Sequence, residues 1–273
     1  VGFSVLTPSA PWAMATAARV KQSMHAVTIA GNVHAILNPE QMIAAPGLDI
    51  VCTGEGEHCL LELAEALDNN RPFEHIAGLW VKTPLGVRRN PARKDLVDMD
   101  SAPVIDRRMY DKYLFFRHSR YLRVMTGRGC PFRCSFCSNT ALMDHFGGAT
   151  AYIRKKSPAE AVREIRQLID ERPVTVKHIF FIDEVFWVKN DWLREFLRLY
   201  REQVGLPFTA NFRFGGIEEE DIRLLAEAGA NGLCLATETA DEAQRRGLLN
   251  KPVTNEQILR IAGWLHKYGI AFG

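Results

Sequence analysis

Three of the six cysteines in this chain fall within eight positions, in the stretch GRGCPFRCSFCSN. Cys130, Cys134 and Cys137 have the spacing C-x3-C-x2-C, and the glycines before them and Pro131 within them predict a loop rather than a helix. A loop of this length can wrap three thiolates around one inorganic centre. Iron–sulfur clusters are held by cysteine thiolates, and a four-iron cluster normally takes four, so three ligands would leave one iron open.

Two other interpretations of these cysteines remain open on the residues alone. A structural zinc site normally takes four ligands from two cysteine pairs, but here the second pair is missing and the nearby fourth candidate is His145. The other interpretation is three unligated, buried cysteines. The remaining cysteines, Cys52, Cys59 and Cys234, fall in apolar strand-like or helix-like runs, where we expect small buried core residues.

The composition is that of an ordinary globular protein of 273 residues, 47% hydrophobic and 24% charged. A formal net charge of +2 is too small to indicate a nucleic-acid partner. We predict no membrane span, because no run of 18 apolar residues occurs. The first residues, VGFSVLTPSA, contain no basic segment of a secretion signal, so we expect a cytoplasmic protein. They also begin inside an apparent strand, so we expect a fragment truncated at both ends.

The front of the chain, residues 1–72, alternates strands with helices, and two of its strands end at glycines. This pattern predicts a partial Rossmann-like α/β domain whose ligands lie at the carboxyl ends of parallel strands. Residues 73–115 break the alternation with a predicted hairpin that turns at Thr83–Gly86, followed by an aspartate-rich linker. Residues 116–273 resume it with five strands, the first running into the cysteine loop, and predict a parallel barrel or part of one.

The stretch CPFRCSFC has the form CxxxCxΦC with Phe136 at the aromatic position, and it resembles the signature of radical SAM enzymes. The resemblance implies that Cys130, Cys134 and Cys137 hold a [4Fe-4S] cluster in a partial (β/α)6 TIM-like barrel that is incomplete at its C-terminal end. The open iron would bind S-adenosylmethionine (SAM), with Phe136 among the SAM contacts. Reductive cleavage of SAM would then give methionine and a 5′-deoxyadenosyl radical.

Further SAM contacts are implied at the ends of later strands. Asp183 and Glu184 resemble the acidic pair that holds the methionine amino group in this family, and Glu238 resembles its strand-four glutamate. Arg213 ends the third strand and is a candidate partner of the SAM carboxylate. Each has a plainer alternative: a helix-capping role for the acidic pair and a solvated surface position for Arg213.

Residues 1–72 resemble the cobalamin-binding domain that precedes many radical SAM cores. Ser4 and Leu6 match its S-x-L motif at a strand end, Gly31 matches a glycine pair in which alanine replaces the first member, and Gly54 lies in the stretch after the next strand. Small residues there allow the backbone to approach a corrin and its nucleotide tail. The alternative is a degenerate Rossmann domain that binds nothing.

Together, these resemblances imply a cobalamin-dependent radical SAM enzyme. It would transfer a methyl group to an unactivated carbon of a small-molecule substrate, or close a ring at one, with electrons from a donor such as flavodoxin or ferredoxin. Two other classes remain open: a radical SAM enzyme with a vestigial front domain, and a non-enzymatic zinc-binding or interaction module. The sequence does not assign a catalytic residue.

Overall fold

The computed structural model describes residues 1–186 and 190–273, and the chain divides into two compact units. The first unit consists of residues 1–97 and 144–146, and the second of residues 98–143 and 147–273. Within the described residues, no helix combines the length and the apolar character needed to cross a bilayer.

The first unit contains one five-stranded sheet in the order β1-β2-β3-β4-β5. Its strands are β1 (Gly2–Ser4), β2 (Ile29–Gly31), β3 (Ile50–Cys52), β4 (Leu79–Thr83) and β5 (Gly86–Arg89). Strands β1 to β3 are parallel, as predicted for the front region, and the antiparallel pair β4–β5 is the predicted hairpin. The hairpin joins this sheet because β4 pairs with β3.

Helices connect the parallel strands of the first unit and cover the sheet. They are α1 (Ala10–Met24), α2 (Val33–Leu37), α3 (Pro39–Ala44) and α4 (Gly56–Asp68), with a 3-10 turn at Thr7–Ser9. In α4 the buried residues Cys59, Leu63 and Ala66 recur at intervals of four and three, so they form one face of the helix. All three residues of β3 are buried. Burial holds the strand in place, and with it the start of the loop that follows Cys52.

The second unit contains a five-stranded, fully parallel sheet in the order β12-β11-β10-β9-β6, and a two-stranded ribbon β7–β8. Its strands are β6 (Tyr121–Val124), β7 (Gly127–Arg128), β8 (Arg154–Lys155), β9 (His178–Phe181), β10 (Phe208–Phe212), β11 (Ala230–Leu235) and β12 (Ala271–Phe272). Strands adjacent in the sheet are consecutive in the chain apart from the ribbon, which confirms the predicted parallel βα repeats.

Eight further helices complete the described chain. They are α5 (Leu114–His118), α6 (Ser138–His145), α7 (Ala149–Tyr152), α8 (Pro158–Asp170), α9 (Asn190–Gln203), α10 (Glu219–Glu227), α11 (Glu242–Gly247) and α12 (Asn255–Lys267), with a 3-10 turn at Arg108–Tyr110. Ser157 caps α8 and Thr254 caps α12, each accepting a hydrogen bond from a backbone N–H in the first turn.

Alternation along the strands of the second unit separates its core from its open face. In β6, Leu122 and Val124 are buried in the core while Tyr121 and Arg123 are exposed. The same alternation corrects the expectation for Cys234, which is exposed because Leu233 and Leu235 occupy the buried face of β11. Cys52 and Cys59 are buried, as expected.

Candidate functional site

The cysteine loop begins where the ribbon strand β7 ends and leads directly into α6. All three thiols are half-buried. Gly129, just before Cys130, has a φ of +85°, and a Cβ added there would lie 2.7 Å from the carbonyl oxygen of Tyr152. Both facts require glycine, so the backbone entering the loop is closely fixed against the segment before β8.

The middle of the loop is held by residues more than a hundred positions later. The Ser135 N–H donates to the Leu249 carbonyl at 3.1 Å, and Ser135 Oγ donates to the Leu248 carbonyl at 2.6 Å. Asn250 Nδ2 donates to the Arg133 carbonyl at 2.7 Å. Three long-range hydrogen bonds therefore tie the loop to residues 248–250.

Two nitrogen donors face the sulfurs of the loop. Arg213 Nη1 lies 3.8 Å from Cys134 Sγ, and Asn139 Nδ2 lies 3.6 Å from Cys137 Sγ. The Arg213 guanidinium also stacks 3.8 Å from the ring centroid of Phe132. Donors of this kind favour the thiolate form that binds a metal centre. The predicted SAM ligand Arg213 therefore lies beside the cysteine loop.

The three thiols lie close enough to influence one another electrostatically. Burial raises the pKa of Cys130, and negative charge on Cys137 and Cys134 raises it further. A positively charged iron centre would relieve both effects, because its ligands must be deprotonated. The donor chemistry of the loop thus fits the [4Fe-4S] cluster.

The single-zinc alternative finds less support. Among residues 1–186 and 190–273, no three His, Cys, Asp or Glu side chains converge as the ligands of one ion do. His145, the nearby fourth ligand considered from the sequence, donates from Nε2 to the Thr53 carbonyl at 2.6 Å within the first unit. A cluster does not need such convergence, because each thiolate binds a different iron.

The acidic pair after β9 divides into two different roles. Asp183 is only 2% exposed. Its carboxylate accepts a 2.7 Å hydrogen bond from Thr126 Oγ1 and further bonds from the Thr126 N–H. It also forms an ion pair with Lys155 Nζ at 3.3 Å. Its carboxylate is therefore occupied within the protein. Lys155 Nζ also donates to the Phe186 carbonyl at 2.5 Å, so the ammonium is held from several sides.

Glu184, by contrast, presents an exposed side chain. Although it is exposed by area, the protein around it desolvates the carboxylate and raises its pKa, with the charge of Asp183 adding to the effect and the Gly129 N–H opposing it. Its negative charge adds to the effect of burial in raising the pKa of Tyr152, whose hydroxyl donates to Asn139. Glu184 is therefore the exposed member of the acidic pair, and its carboxylate lies near the Gly129 N–H at the start of the cysteine loop.

The other two predicted SAM contacts lie in positions that also suit ligand binding. Phe136, in the turn between two cysteines, is 54% exposed. Glu238 has a left-handed backbone with φ of +67°, and its Oε1 accepts from the buried Lys251 Nζ at 3.1 Å. Lys251 also donates to the Ala236 carbonyl at 2.5 Å, so the Glu238 carboxylate is held at the end of β11.

A cavity of about 600 Å³ opens beside the cysteine loop within the second unit, in the size range of ligand sites. It is lined by residues of the loop, of the segment after β10 and of the segment before α12, among them Phe132, Arg133, Arg213, Gly215, Asn250 and Gln257.

A second cavity, of about 340 Å³, lies in the first unit at the carboxyl ends of β1, β2 and β3. Three of the four predicted cobalamin contacts line it: Ser4, Gly31 and Gly54. Leu6 is not among the lining residues and is 53% exposed. A Cβ on Gly31 would lie 3.6 Å from the Cβ of Cys52, so glycine keeps this end of the cavity open.

Several residues of the site were not identified from the sequence. Thr126 and Lys155 hold Asp183, Asn139 faces Cys137, and Lys251 holds Glu238. No local pattern marks the first three, because their partners are distant in the chain or belong to no recognised motif. Lys251 lies in the stretch GLLNKPVT, which resembles a segment that follows the strand-four glutamate in many radical SAM sequences, although this resemblance did not predict its contact with Glu238.

The family model that matches this chain describes the radical SAM superfamily and covers residues 124–272. An uncharacterized methyltransferase, PH0819 from Pyrococcus horikoshii, is 29% identical over 276 residues, covering 99% of this chain and 58% of that protein. The anaerobic magnesium-protoporphyrin IX monomethyl ester cyclase of Rubrivivax gelatinosus is 29% identical over 283 residues, covering 99% of this chain and 49% of that protein. The chain thus spans about half the length of these relatives.

The fold also resembles a solved structure. The radical S-adenosylmethionine methyltransferase TsrM from Kitasatospora setae, with cobalamin and a [4Fe-4S] cluster bound, superposes with a TM-score of 0.76 at 20% sequence identity. The superposition covers 100% of this chain and 57% of TsrM. At this identity the likeness concerns the fold.

Proposed function

Since the chain belongs to the radical SAM superfamily, whose members use a [4Fe-4S] cluster and SAM, we propose that it forms the cofactor-binding part of a cobalamin-dependent enzyme. The reaction is transfer of a methyl group to, or ring closure at, an unactivated carbon of a small-molecule substrate. When bound, the cluster and SAM would supply a 5′-deoxyadenosyl radical that abstracts a hydrogen atom, and cobalamin would supply the chemistry of methyl transfer.

In this proposal the cluster is held by Cys130, Cys134 and Cys137. Asn139 Nδ2 and Arg213 Nη1 donate toward two of the sulfurs, at 3.6 and 3.8 Å, and stabilise negative charge on them. These donors orient the thiolates and tune the centre they hold.

SAM would bind next to the loop through side chains from several strand ends. Glu184 accepts a hydrogen bond from the SAM amino group, since its carboxylate is open while that of Asp183 is occupied. Arg213 pairs with the SAM carboxylate, Glu238 contacts the ribose or amino-acid part, and Phe136 packs against the ligand. Asp183 contributes indirectly by fixing the backbone from which Glu184 projects.

Cobalamin would bind in the first unit. The single observation that carries this part of the proposal is the cavity at the carboxyl ends of β1 to β3, lined by Ser4, Gly31 and Gly54. TsrM, which shares this fold, was solved with cobalamin bound, and this likeness supports the assignment.

The two curated relatives favour the two reaction types equally, since one is named a methyltransferase and the other a cyclase. Under the proposal, a cytoplasmic electron donor such as flavodoxin or ferredoxin reduces the cluster.

The test is anaerobic reconstitution with iron and sulfide, followed by EPR of the reduced protein with and without SAM. We expect a cluster signal that shifts when SAM is added and is absent in Cys134→Ala, while Cys234→Ala, which lacks an exposed cysteine outside the loop, retains it. One bound zinc and no cluster signal would overturn the radical SAM assignment for this chain.

Cobalamin binding is tested separately, by equilibrium dialysis of hydroxocobalamin against the reconstituted protein. Retention of one equivalent supports the front cavity as its site. A cluster signal without cobalamin retention would leave a radical SAM enzyme with a vestigial front unit.

A further inference from the structure

The first unit contains a second pair of thiols that the proposed function does not use. Cys52 Sγ and Cys59 Sγ lie 3.4 Å apart, and the two residues are 3% and 0% exposed. Cys52 is the last residue of β3 and Cys59 lies in the first part of α4. No disulfide joins them, so the two thiols form a closely apposed pair.

The pair lies in an apolar core cluster, and backbone carbonyl oxygens are its nearest polar neighbours. Cys52 Sγ lies 3.4 Å from the Gly54 carbonyl, and Cys59 Sγ lies 3.5 Å from the carbonyls of Glu55 and Gly56. When one thiol loses its proton, the other is placed to donate its S–H to the thiolate. This hydrogen bond from Cys59 lowers the pKa of Cys52, although burial opposes it, and the same interaction raises the pKa of Cys59. The two thiols also differ in their access to the front cavity, which only Cys52 lines, and this difference makes Cys52 the nucleophile.

A small molecule can reach Cys52 despite its burial. Cys52 lines the 340 Å³ cavity at the carboxyl ends of β1 to β3, whereas Cys59 is not among the lining residues. The side chain that would shield it is missing at Gly31, which lies next to Cys52 across the cavity wall. The pair thus has an accessible member and an enclosed member.

We propose that Cys52 and Cys59 form a reversible disulfide when a peroxide enters the front cavity. The Cys52 thiolate attacks the O–O bond of hydrogen peroxide, leaving a sulfenic acid on Cys52 and releasing hydroxide. Cys59 then attacks the Cys52 sulfur, so that the S–S bond forms, the S–O bond breaks and water leaves. Two thiols lose two electrons in total, and one peroxide becomes two waters.

Formation of the disulfide requires the sulfur separation to shorten from 3.4 Å to about 2.0 Å. The bond would connect Cys52, which lines the front cavity at the end of β3, to Cys59 in α4. The inference does not depend on cobalamin being the ligand of that cavity.

The experiment treats the reduced, anaerobically purified protein with one equivalent of hydrogen peroxide, then blocks free thiols and digests with trypsin. Cys52 and Cys59 fall in the same tryptic peptide, residues 22–82, which contains no other cysteine. We expect this peptide to lose both alkylation sites and to become lighter by two hydrogens, with reversal by dithiothreitol.

Two variants make the result specific. In Cys59→Ala the enclosed thiol is gone, so peroxide should leave a Cys52 sulfenic acid that dimedone traps, with no intramolecular disulfide. In Cys234→Ser the loss of both alkylation sites from the 22–82 peptide should be unchanged. Two outcomes would overturn the proposal. One is that both cysteines of the 22–82 peptide are still alkylated in the wild-type chain under conditions that oxidise Cys234. The other is that dimedone labels Cys52 equally in the wild type and in Cys59→Ala.

Discussion

The two candidate sites differ in the residues that surround them. The front cavity has four glycines among its ten lining residues, and none of these described residues has a charged side chain. The cysteine loop is instead surrounded by thiol, guanidinium, amide and carboxylate side chains. The buried polar residues follow the same division. In the described part of the first unit they are threonine, asparagine and histidine, while the second unit buries Lys156, Asp183, Asp221, Arg245 and Lys251.

This difference indicates how each site is maintained. The front cavity exists because its glycines leave space that larger side chains would fill. Substitutions that add no atoms there should therefore be tolerated. A site supported by buried charges depends on complete pairing, because removing one partner leaves the other desolvated. The following substitutions test this contrast, from the largest expected effect to the smallest.

Lys155→Met should have the largest effect, because it leaves the buried Asp183 carboxylate without its ammonium partner. The two side chains are 12% and 2% exposed, so we expect the free energy of unfolding to fall by about 3–5 kcal/mol in urea titrations. The matched control is Arg198→Met on α9, which breaks an exposed pair with Glu202 and should cost about 0.5 kcal/mol or less. Similar losses in the two variants would contradict the contrast.

Glu184→Gln should weaken SAM binding by tenfold to a hundredfold at neutral pH. The reason is that the variant loses a hydrogen bond between charged groups, which is worth about 1.5–3 kcal/mol. Because desolvation raises the Glu184 pKa, the wild-type carboxylate becomes protonated at a higher pH than an ordinary glutamate. Wild-type affinity should therefore decrease as the pH falls toward that raised pKa, and the variant should lack this dependence.

Anaerobic calorimetry of the cluster-loaded protein between about pH 5 and 8 measures both effects, a range that begins just above the ordinary glutamate pKa of about 4.3. Glu202→Gln, an acid on the outside of α9, serves as the control. An unchanged pH profile in Glu184→Gln would remove Glu184 from the SAM site.

Asp49→Asn tests a partly buried polar contact of the first unit. Asp49 Oδ2 accepts from Lys21 Nζ at 2.9 Å and from the Thr28 N–H at 2.8 Å, and we expect a loss of about 1–3 kcal/mol in the stability of β2 and β3. Burial alone would raise the Asp49 pKa, but the bonds from Lys21 and Thr28 lower it overall.

A lowered pKa in the folded state means that this stabilisation is complete above the ordinary aspartate pKa of about 3.9 and disappears as the pH falls through the folded value. Native-state hydrogen exchange at pH 7 and in acid should therefore show a difference between wild type and variant that shrinks below about pH 4. A difference that persists in acid would assign the effect to packing.

Gly31→Leu should give the smallest change, about a tenfold loss in cobalamin affinity or ~1.4 kcal/mol, by filling part of the front cavity. Gly31→Ala should bind nearly as well, because its Cβ meets Cys52 only at an ordinary contact distance of 3.6 Å. Equal binding by both variants would move cobalamin away from this cavity.

The sequence predicted the parts of the molecule that rest on local patterns. The parallel strands and the hairpin at Thr83–Gly86 each follow from a few adjacent residues, and the structure contains both. The family signature marked the cysteine loop for the same reason.

Other features depend on contacts between distant residues, and local patterns could not reveal them. The occupied state of Asp183 depends on Thr126 and Lys155, so the sequence could not distinguish it from its neighbour Glu184. Cys234 resembled a core residue because its neighbours are apolar, but the face it occupies depends on the register of β11 within the sheet.

The hydrogen bonds from Ser135 and Asn250 connect the cysteine loop to residues 248–250, which directly follow α11. Arg213 reaches the same loop from the end of β10. The positions of the three thiols are therefore set by two later segments of the second unit as well as by the loop itself. A change in the length of the chain between α11 and α12 would displace the cysteines, although it would lie far from them in the sequence.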